Sequence, residues 1–361
     1  MRFALSEEQS ELAAAVRGLV ARRAGSVDLR AAIESTAGYD TELWEALCQQ
    51  IGVASLAIPE EYDGAGFSLF ETHVVLEELG ASLTPSPLLG SGVLAAQALV
   101  LSGDNPTARE LLPRIAGGGV VALAWADAAG RHRTDGSDVV ASDSALTGTA
   151  TLVLDGSEAT DLLVIATADG APALFAVAPD AAGLTREATP ALDQTLRFAR
   201  LDLADTPATL VAADFGDALV RLRAIAAIAI TALQVGGAQA CLDRTVAYLK
   251  ERDQFERPLG SFQALKHRAA DMLVRVETAR SMSWAAGFAS GEGVDTGELV
   301  RQAALAKSWC TEAFEAVAGE MIQLHGGIAI TWEHDAHLYF KRAHALGELF
   351  GSPHEHRAAL A

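Results

Sequence analysis

The sequence predicts a mainly α protein with a β-domain at its centre. The expected parts are an N-terminal α-helical domain over residues 1–117, a middle antiparallel β-domain over 118–211 and a C-terminal four-helix bundle over 212–361. Three observations carry this division. Apolar residues recur at helical spacing until Gly117-Gly118-Gly119 interrupts them. From Val120 to about Leu210, short apolar runs alternate with Gly, Asp and Thr, the texture of short strands joined by turns. From Ala218 to Lys250 there is no proline, and Leu222, Ala226, Ala229, Leu233, Gly236 and Ala240 fall on one helical face. So small a stripe calls for close helix–helix packing.

The elements follow in order. Ser6 with Gln9 reads as a capping box, and Leu12, Val16, Leu19 and Val20 continue it at helical spacing. Helical pattern returns at Leu43–Cys48 and Thr72–Leu79, on either side of a Pro/Gly-marked loop, Ile58 to Gly66. Gly80 is expected to stop the second run, before Pro85 and Pro87. Strand candidates are Val120–Trp125, Leu152–Leu154, Leu162–Ile165 and Leu174–Val177. Beyond the long 218–250 helix, Ser261–Ala286 and Gly297–Leu324 complete the bundle.

Composition excludes several classes. A formal charge of −20, spread along the chain, disfavours nucleic acid and anionic membranes as partners. Met1 to Glu8 breaks any apolar run before a signal peptide could form, and no uninterrupted apolar stretch approaches the ~20 residues of a membrane span. Cys48, Cys241 and Cys310 are odd in number and far apart, which points to buried thiols in a reducing, cytoplasmic compartment. The histidines at 325, 334, 337, 344, 354 and 356 match no zinc spacing, so no metal is expected.

Several strings together resemble the acyl-CoA dehydrogenase family along almost the whole chain. Phe3-Ala4-Leu5-Ser6-Glu7-Glu8-Gln9 looks like the family's first helix, and Ile58–Gly66 with Leu76-Glu77-Glu78-Leu79-Gly80 like its "vPeeyGG.G" turn and following helix. Arg252-Asp253-Gln254-Phe255 with Pro258-Leu259-Gly260-Ser261-Phe262-Gln263 resembles "R.QFG.PIG.FQ". Gln323-Leu324-His325-Gly326-Gly327 with Thr331-Trp332-Glu333 resembles "Q..GG.G.T.E".

The resemblance implies FAD, with the bundle segments holding its diphosphate and adenosine end across a subunit interface. Arg252, Gln254, Phe255, Leu259, Gln263, Gln323, Gly326 and Gly327 are the expected cofactor residues. Their chemistry suits that role. Arg252 offers a planar cationic fork, Gln254 and Gln323 polar side chains, Phe255 an apolar face, and the glycines an open backbone. One departure is Glu256, which stands where the family signature has glycine.

The same resemblance exposes what is missing. The family takes the α-proton of the thioester with a glutamate, and the positions that would carry it hold Phe350, Ala226 and Leu233. Ala226 and Leu233, seven apart on one helix, are expected to look into a common space without a base. The flavin-ring loop "TEP.AGSD" aligns with Ala126–Arg131, and the "W-[IV]-[ST]-N-G" strand with Leu152–Gly156, so the indole and hydroxyl groups are replaced. Each lost hydrogen bond to a buried cofactor atom costs on the order of 1–3 kcal/mol.

The chain is therefore similar to the non-catalytic subunit of actinobacterial heterotetrameric (α2β2) acyl-CoA dehydrogenases of fatty-acid or steroid side-chain β-oxidation. That implies a homologous catalytic subunit, an acyl-CoA substrate held mainly by that partner, and an electron-transferring flavoprotein as acceptor. Two alternatives stay open: an autonomous enzyme using Glu348 as its base, and a cofactor-free scaffold.

Overall fold

A computed structural model describes residues 4–23, 25–291 and 294–360. Phe3, the first residue of the opening motif, lies outside the described residues. Helix α1 (Glu7–Ala21) opens on the expected capping box: Gln9 N–H donates to Ser6 Oγ at 3.2 Å and Ser6 N–H to Gln9 Oε1 at 2.9 Å. Then come α2 (Ser26–Glu34), α3 (Thr41–Ala46) and α4 (Leu69–Ala81). A π-helical segment, Leu88–Ala95, runs into α5 (Ala96–Leu101), and α6 (Pro106–Ala116) follows. The 88–101 stretch is apolar and buried on nearly every side, so it carries no periodic stripe that sequence could mark.

The strands are β1 (Val121–Ala124), β2 (Val140–Ser142), β3 (Ala145–Leu154), β4 (Asp161–Ala168), β5 (Ala171–Val177), β6 (Leu184–Thr189), β7 (Phe198–Pro207) and β8 (Thr209–Ala212). They form one sheet in the order β6-β7-β3-β2-β4-β5-β8, with β1 also on β4. The expectation of an antiparallel sheet needs correcting here, because β1 and β2 both pair parallel with β4. The chain leaves β1 through the 125–139 loop and returns through the β2–β3 hairpin, which supplies the crossover that parallel pairing requires. Strand β1 is buried throughout and β4 almost so, as strands covered on both faces are.

The C-terminal helices are α7 (Gly216–Glu251), α8 (Gln263–Ala289), α9 (Thr296–His325), α10 (Ala336–Glu348) and α11 (Pro353–Ala358), with a small hairpin of β9 (Asp253–Gln254) and β10 (Arg257–Pro258) between α7 and α8. Gly80 does not stop α4. It lies inside the helix, where an added Cβ would come within 2.4 Å of the Leu233 carbonyl oxygen on α7. Gly236 answers it: a Cβ there would meet the Glu77 carbonyl oxygen at 1.9 Å. Two glycines, one per helix, let these backbones touch. Helix α7 is long and, by mean hydropathy, apolar enough to cross a membrane, although Thr231 and Gln234 interrupt its apolar run, and most of that stretch is buried within the protein.

Candidate functional site

A cavity of about 970 Å³ lies between the sheet and the bundle. The 129–135 loop, Leu152, the 189–193 loop, Arg223 of α7 and the end of α10 from His344 to Gly351 line it. Parts of both aligned flavin-ring segments and of the base turn therefore come together in space. Their chemistry there is not that of a ring site.

Asp127, buried to 1 % exposure, explains why. Its Oδ1 accepts the N–H groups of Ala129 and Arg131, both at 2.9 Å, and its Oδ2 accepts Arg131 Nε at 2.9 Å. The remaining amides of the loop are used as well. Asp127 N–H donates to the Arg131 carbonyl, Gly130 N–H to the Asp127 carbonyl, and Ala128 N–H to Asp138 Oδ2. All five amides from 127 to 131 are satisfied inside the loop, and none is left for an isoalloxazine ring. Burial alone would raise the Asp127 carboxyl, but these donors outweigh it and hold the pKa below its ordinary value. Leu152, in the aligned strand, adds only an aliphatic wall with a left-handed backbone (φ 49°). The flavin-ring half of this chain's own site does not fit the group.

Phe350 fills the next space. It is 1 % exposed, and its ring centroid lies 4.2 Å from that of His132 and 6.0 Å from that of Trp125. Its φ of 58° is uncommon for a bulky residue and persists only where the surroundings enforce it. Lys307, buried in α9, supplies part of that enforcement. Its Nζ donates to the carbonyls of Gly347 (2.8 Å) and Gly351 (3.1 Å), while the ring of His356 meets the Phe350 carbonyl at 3.1 Å. Burial pulls the Lys307 amine down to about 7, and burial, followed by the charges of Lys307 and Arg223, pulls His356 down to about 4. His132 drops to about 3 for the same first reason.

The common space expected in front of Ala226 and Leu233 is corrected by the structure. Ala226 and Leu233 share no open space: both lie in the packed core, Leu233 directly against Gly80. Glu348 does line the cavity, at an exposed position. A buried ion pair adjoins the cavity at Asp193, where Arg342 of α10 places Nε 2.8 Å from Asp193 Oδ2 while its N–H groups donate to Thr195.

The expected cofactor residues of the bundle lie elsewhere, at the shared end of α7 and α9. Tyr248 and His325 stack there at 4.4 Å, which brings the Arg252 and Gly326 segments side by side. Arg252, Gln254, Phe255, Gln263, Gln323, Gly326 and Gly327 are all exposed, and Leu259 is half-buried with its N–H on the Arg252 carbonyl at 2.8 Å. Gly326 adopts φ 67° and ψ −145°, a conformation essentially confined to glycine, and a Cβ at either glycine would meet nothing within 4 Å. Phe255 and Glu256 form the two-residue tip of the β9–β10 hairpin with φ 56° and 62°. Type I′ tips of this kind normally take Asn-Gly, so the pair costs about 1–2 kcal/mol per residue. Phe255 is nonetheless 77 % exposed, and Ile328, Ile330 and Trp332, which follow the Gly326-Gly327 pair in sequence, are exposed apolar side chains as well. An open backbone, a cationic fork and an apolar rim fit the nucleotide end of FAD.

Four of the C-terminal histidines have local partners. His325 stacks on Tyr248, His337 on Trp332, His344 sits edge-on to Phe340, and His356 is tied to the turn. The three cysteines are buried, and burial raises each thiol, Cys48 to about 12. Sequence reasoning missed Asp127, Arg223, Lys307 and Arg342. For Lys307 a signal existed: a lone cation within the apolar run Ala303 to Ala306 and Cys310 of α9.

Residues 6–119 match the family profile described as "Acyl-CoA dehydrogenase, N-terminal domain", and residues 221–361 the one described as "Acyl-CoA dehydrogenase, C-terminal domain". The chain is 39 % identical over 351 residues to acyl-CoA dehydrogenase IpdE2 of Mycolicibacterium smegmatis, covering 97 % of both. Its fold is similar to a solved "Tcur3481-Tcur3483 steroid ACAD G363A variant" at TM-score 0.89 and 32 % identity, over 98 % of this chain and 96 % of that one. It is also similar to the ChsE4-ChsE5 complex of Mycobacterium tuberculosis at TM-score 0.90 and 28 % identity, over 100 % and 98 %. The protein belongs to the acyl-CoA dehydrogenase family, flavin oxidoreductases acting on CH–CH bonds.

Proposed function

We propose that this chain is the non-catalytic subunit of a hetero-oligomeric, cytoplasmic acyl-CoA dehydrogenase, and that it completes the FAD site of a homologous partner carrying the glutamate. The observation that carries the reading is the contrast between its two half-sites. Every amide from 127 to 131 is already spent, four of them within that segment and Ala128 on Asp138, whereas the bundle end presents Arg252, Gln254, Phe255 and an open Gly326-Gly327 backbone to solvent. The similar Tcur3481-Tcur3483 structure is a "steroid ACAD" and the ChsE4-ChsE5 structure a complex, which supports a hetero-oligomer and a bulky acyl group.

When bound, FAD supplies the acceptor for the β-hydride of an acyl-CoA. The contribution of this chain is binding and orientation. Arg252 meets the diphosphate with a charge-assisted fork, Gln254, Gln263 and Gln323 supply polar side chains, and Phe255 with Leu259 shields the site from water. Glycine at 326 and 327 lets the ligand approach main-chain atoms. The partner would supply the α-proton acceptor and most of the acyl pocket, with an electron-transferring flavoprotein as the electron acceptor.

Flavin retention of the co-expressed complex tests this. Arg252→Ala should lower bound flavin, while Arg131→Ala, in this chain's own closed loop, should leave it unchanged. The opposite pattern would assign the cofactor to this chain's own sheet. Because Glu348 lines the cavity, an autonomous enzyme remains the second reading, and it requires turnover by the chain without a partner.

A further inference from the structure

The cavity beside the sheet contains a cation that the proposed cofactor site does not use. Arg223, in the second turn of α7, lines the cavity of about 970 Å³ and also a second one of about 430 Å³. Its Nη2 is 3.0 Å from where a Cβ on Gly351 would stand, so the guanidinium lies against the turn after α10. Its Nε is buried and has no hydrogen-bond partner among the described residues. The other arginines of the larger cavity are committed. Arg131 pairs with Asp127, and Arg133 pairs with Asp135 and approaches Asp138. Of the nearby carboxylates, Glu355 accepts the Ser352 N–H at 3.0 Å and caps α11, and Glu348 is exposed. His132 and His356 stand near Arg223, and both are held neutral, chiefly by burial, with the charge of Arg223 as a further cause. They add no competing cation.

The two cavities differ in character. The smaller, between α7, α9 and α11, is walled mainly by Val220, Ala224, Val300, Ala303 and Ala304. The larger is mixed, with several ionic side chains. Arg223 stands where they adjoin. A half-buried guanidinium whose buried Nε–H has no acceptor among the described residues favours an oxyanion that accepts from it, and an aliphatic slot alongside favours an apolar tail.

We infer that Arg223 is the anchor of a second ligand site in this subunit, one that binds an anionic amphiphile with its carboxylate or phosphate on the guanidinium and its aliphatic chain between α7 and α9. This goes beyond the shared-cofactor reading and does not depend on it, since it concerns binding to this chain and involves no reaction.

The test is calorimetric titration of the full chain, and of the co-expressed complex, with octanoate, octyl phosphate and octanol. At least one anion should bind at one site per chain, with octanol roughly tenfold weaker or undetectable. The stronger anion identifies the head group as carboxylate or phosphate. Arg223→Met should weaken that anion roughly tenfold or more and leave octanol unchanged. Ala304→Leu, which fills the slot and leaves the charge in place, should weaken anion and alcohol together. Flavin content of the complex should not change in either variant. Equal affinity for octanol and the anions, an unaffected Arg223→Met variant that keeps its thermal midpoint, or no binding of either anion would overturn the proposal.

Discussion

The Phe350 ring lies 4.2 Å from the imidazole of His132, centroid to centroid, on the turn where the family resemblance places a catalytic carboxylate. Both rings are buried, and the imidazole is held neutral. An ionised glutamate in place of Phe350 would be desolvated at this buried position, a cost that the phenyl ring avoids. The phenyl ring fits this space by its shape and its lack of charge.

Phe350 should therefore matter for folding and not for chemistry. Phe350→Ala should destabilise the chain by about 3–5 kcal/mol in chemical denaturation. The milder Phe350→Leu should leave turnover of the co-expressed complex unchanged. Loss of turnover in a folded Phe350→Leu complex would place that ring in a working active site.

Glu348 provides a sharper contrast between the two enzymatic readings. With the base supplied by the partner, Glu348→Gln should leave kcat of the complex as it was. Abolished turnover with flavin still bound would make Glu348 the proton acceptor.

At the crossing of α4 and α7, a methyl group on Gly236 would meet the Glu77 carbonyl oxygen and the Ala81 nitrogen, backbone atoms that cannot swing aside. Gly236→Ala should cost about 1–3 kcal/mol, measured as a shift in the urea midpoint at unchanged slope. A neutral result would mean that the helices separate without penalty.

The buried histidines give stability a pH dependence of definite sign. His73 and His132 are lowered to about 3 and His356 to about 4, all first by burial. Between those values and the ordinary pKa of about 6.5, the unfolded chain binds more protons than the folded one. Stability is then full above that range and is lost as pH falls through it. Lys307, lowered to about 7 from 10.5, adds stability of the same sign as pH rises between those two values. Urea midpoints should fall from about pH 7 to about pH 5. His356→Gln, which can keep a donor to the Phe350 carbonyl, should make that fall shallower, and an unchanged slope would remove His356 from the account.

Much of this was legible before any coordinates. The capping box of Ser6 and Gln9, the long α7 and the two bundle motifs rest on local spacing, and local spacing is what a sequence displays. Arg252 and Gly326 could be named as one expected site from their motifs, and it is the Tyr248–His325 contact that brings their segments side by side. What could not be read depends on contacts distant in the chain. Gly80 reads as a stop because glycine often is one, and its actual role appears only when Leu233 of another helix lies against it. Asp127 reads as one more loop aspartate until its carboxylate is seen holding two amides and a guanidinium. Arg223 follows Leu222 in a helix, and nothing in that pattern tells which of two cavities it faces.

The central claim is that this subunit grips the nucleotide end of a flavin whose ring rests in its partner. Counting FAD per chain, in the purified chain alone and in the co-expressed complex, tests it most directly. The account predicts little or no flavin in the first and one FAD per pair of unlike chains in the second. One FAD per chain in a homo-oligomer that turns over acyl-CoA would contradict it.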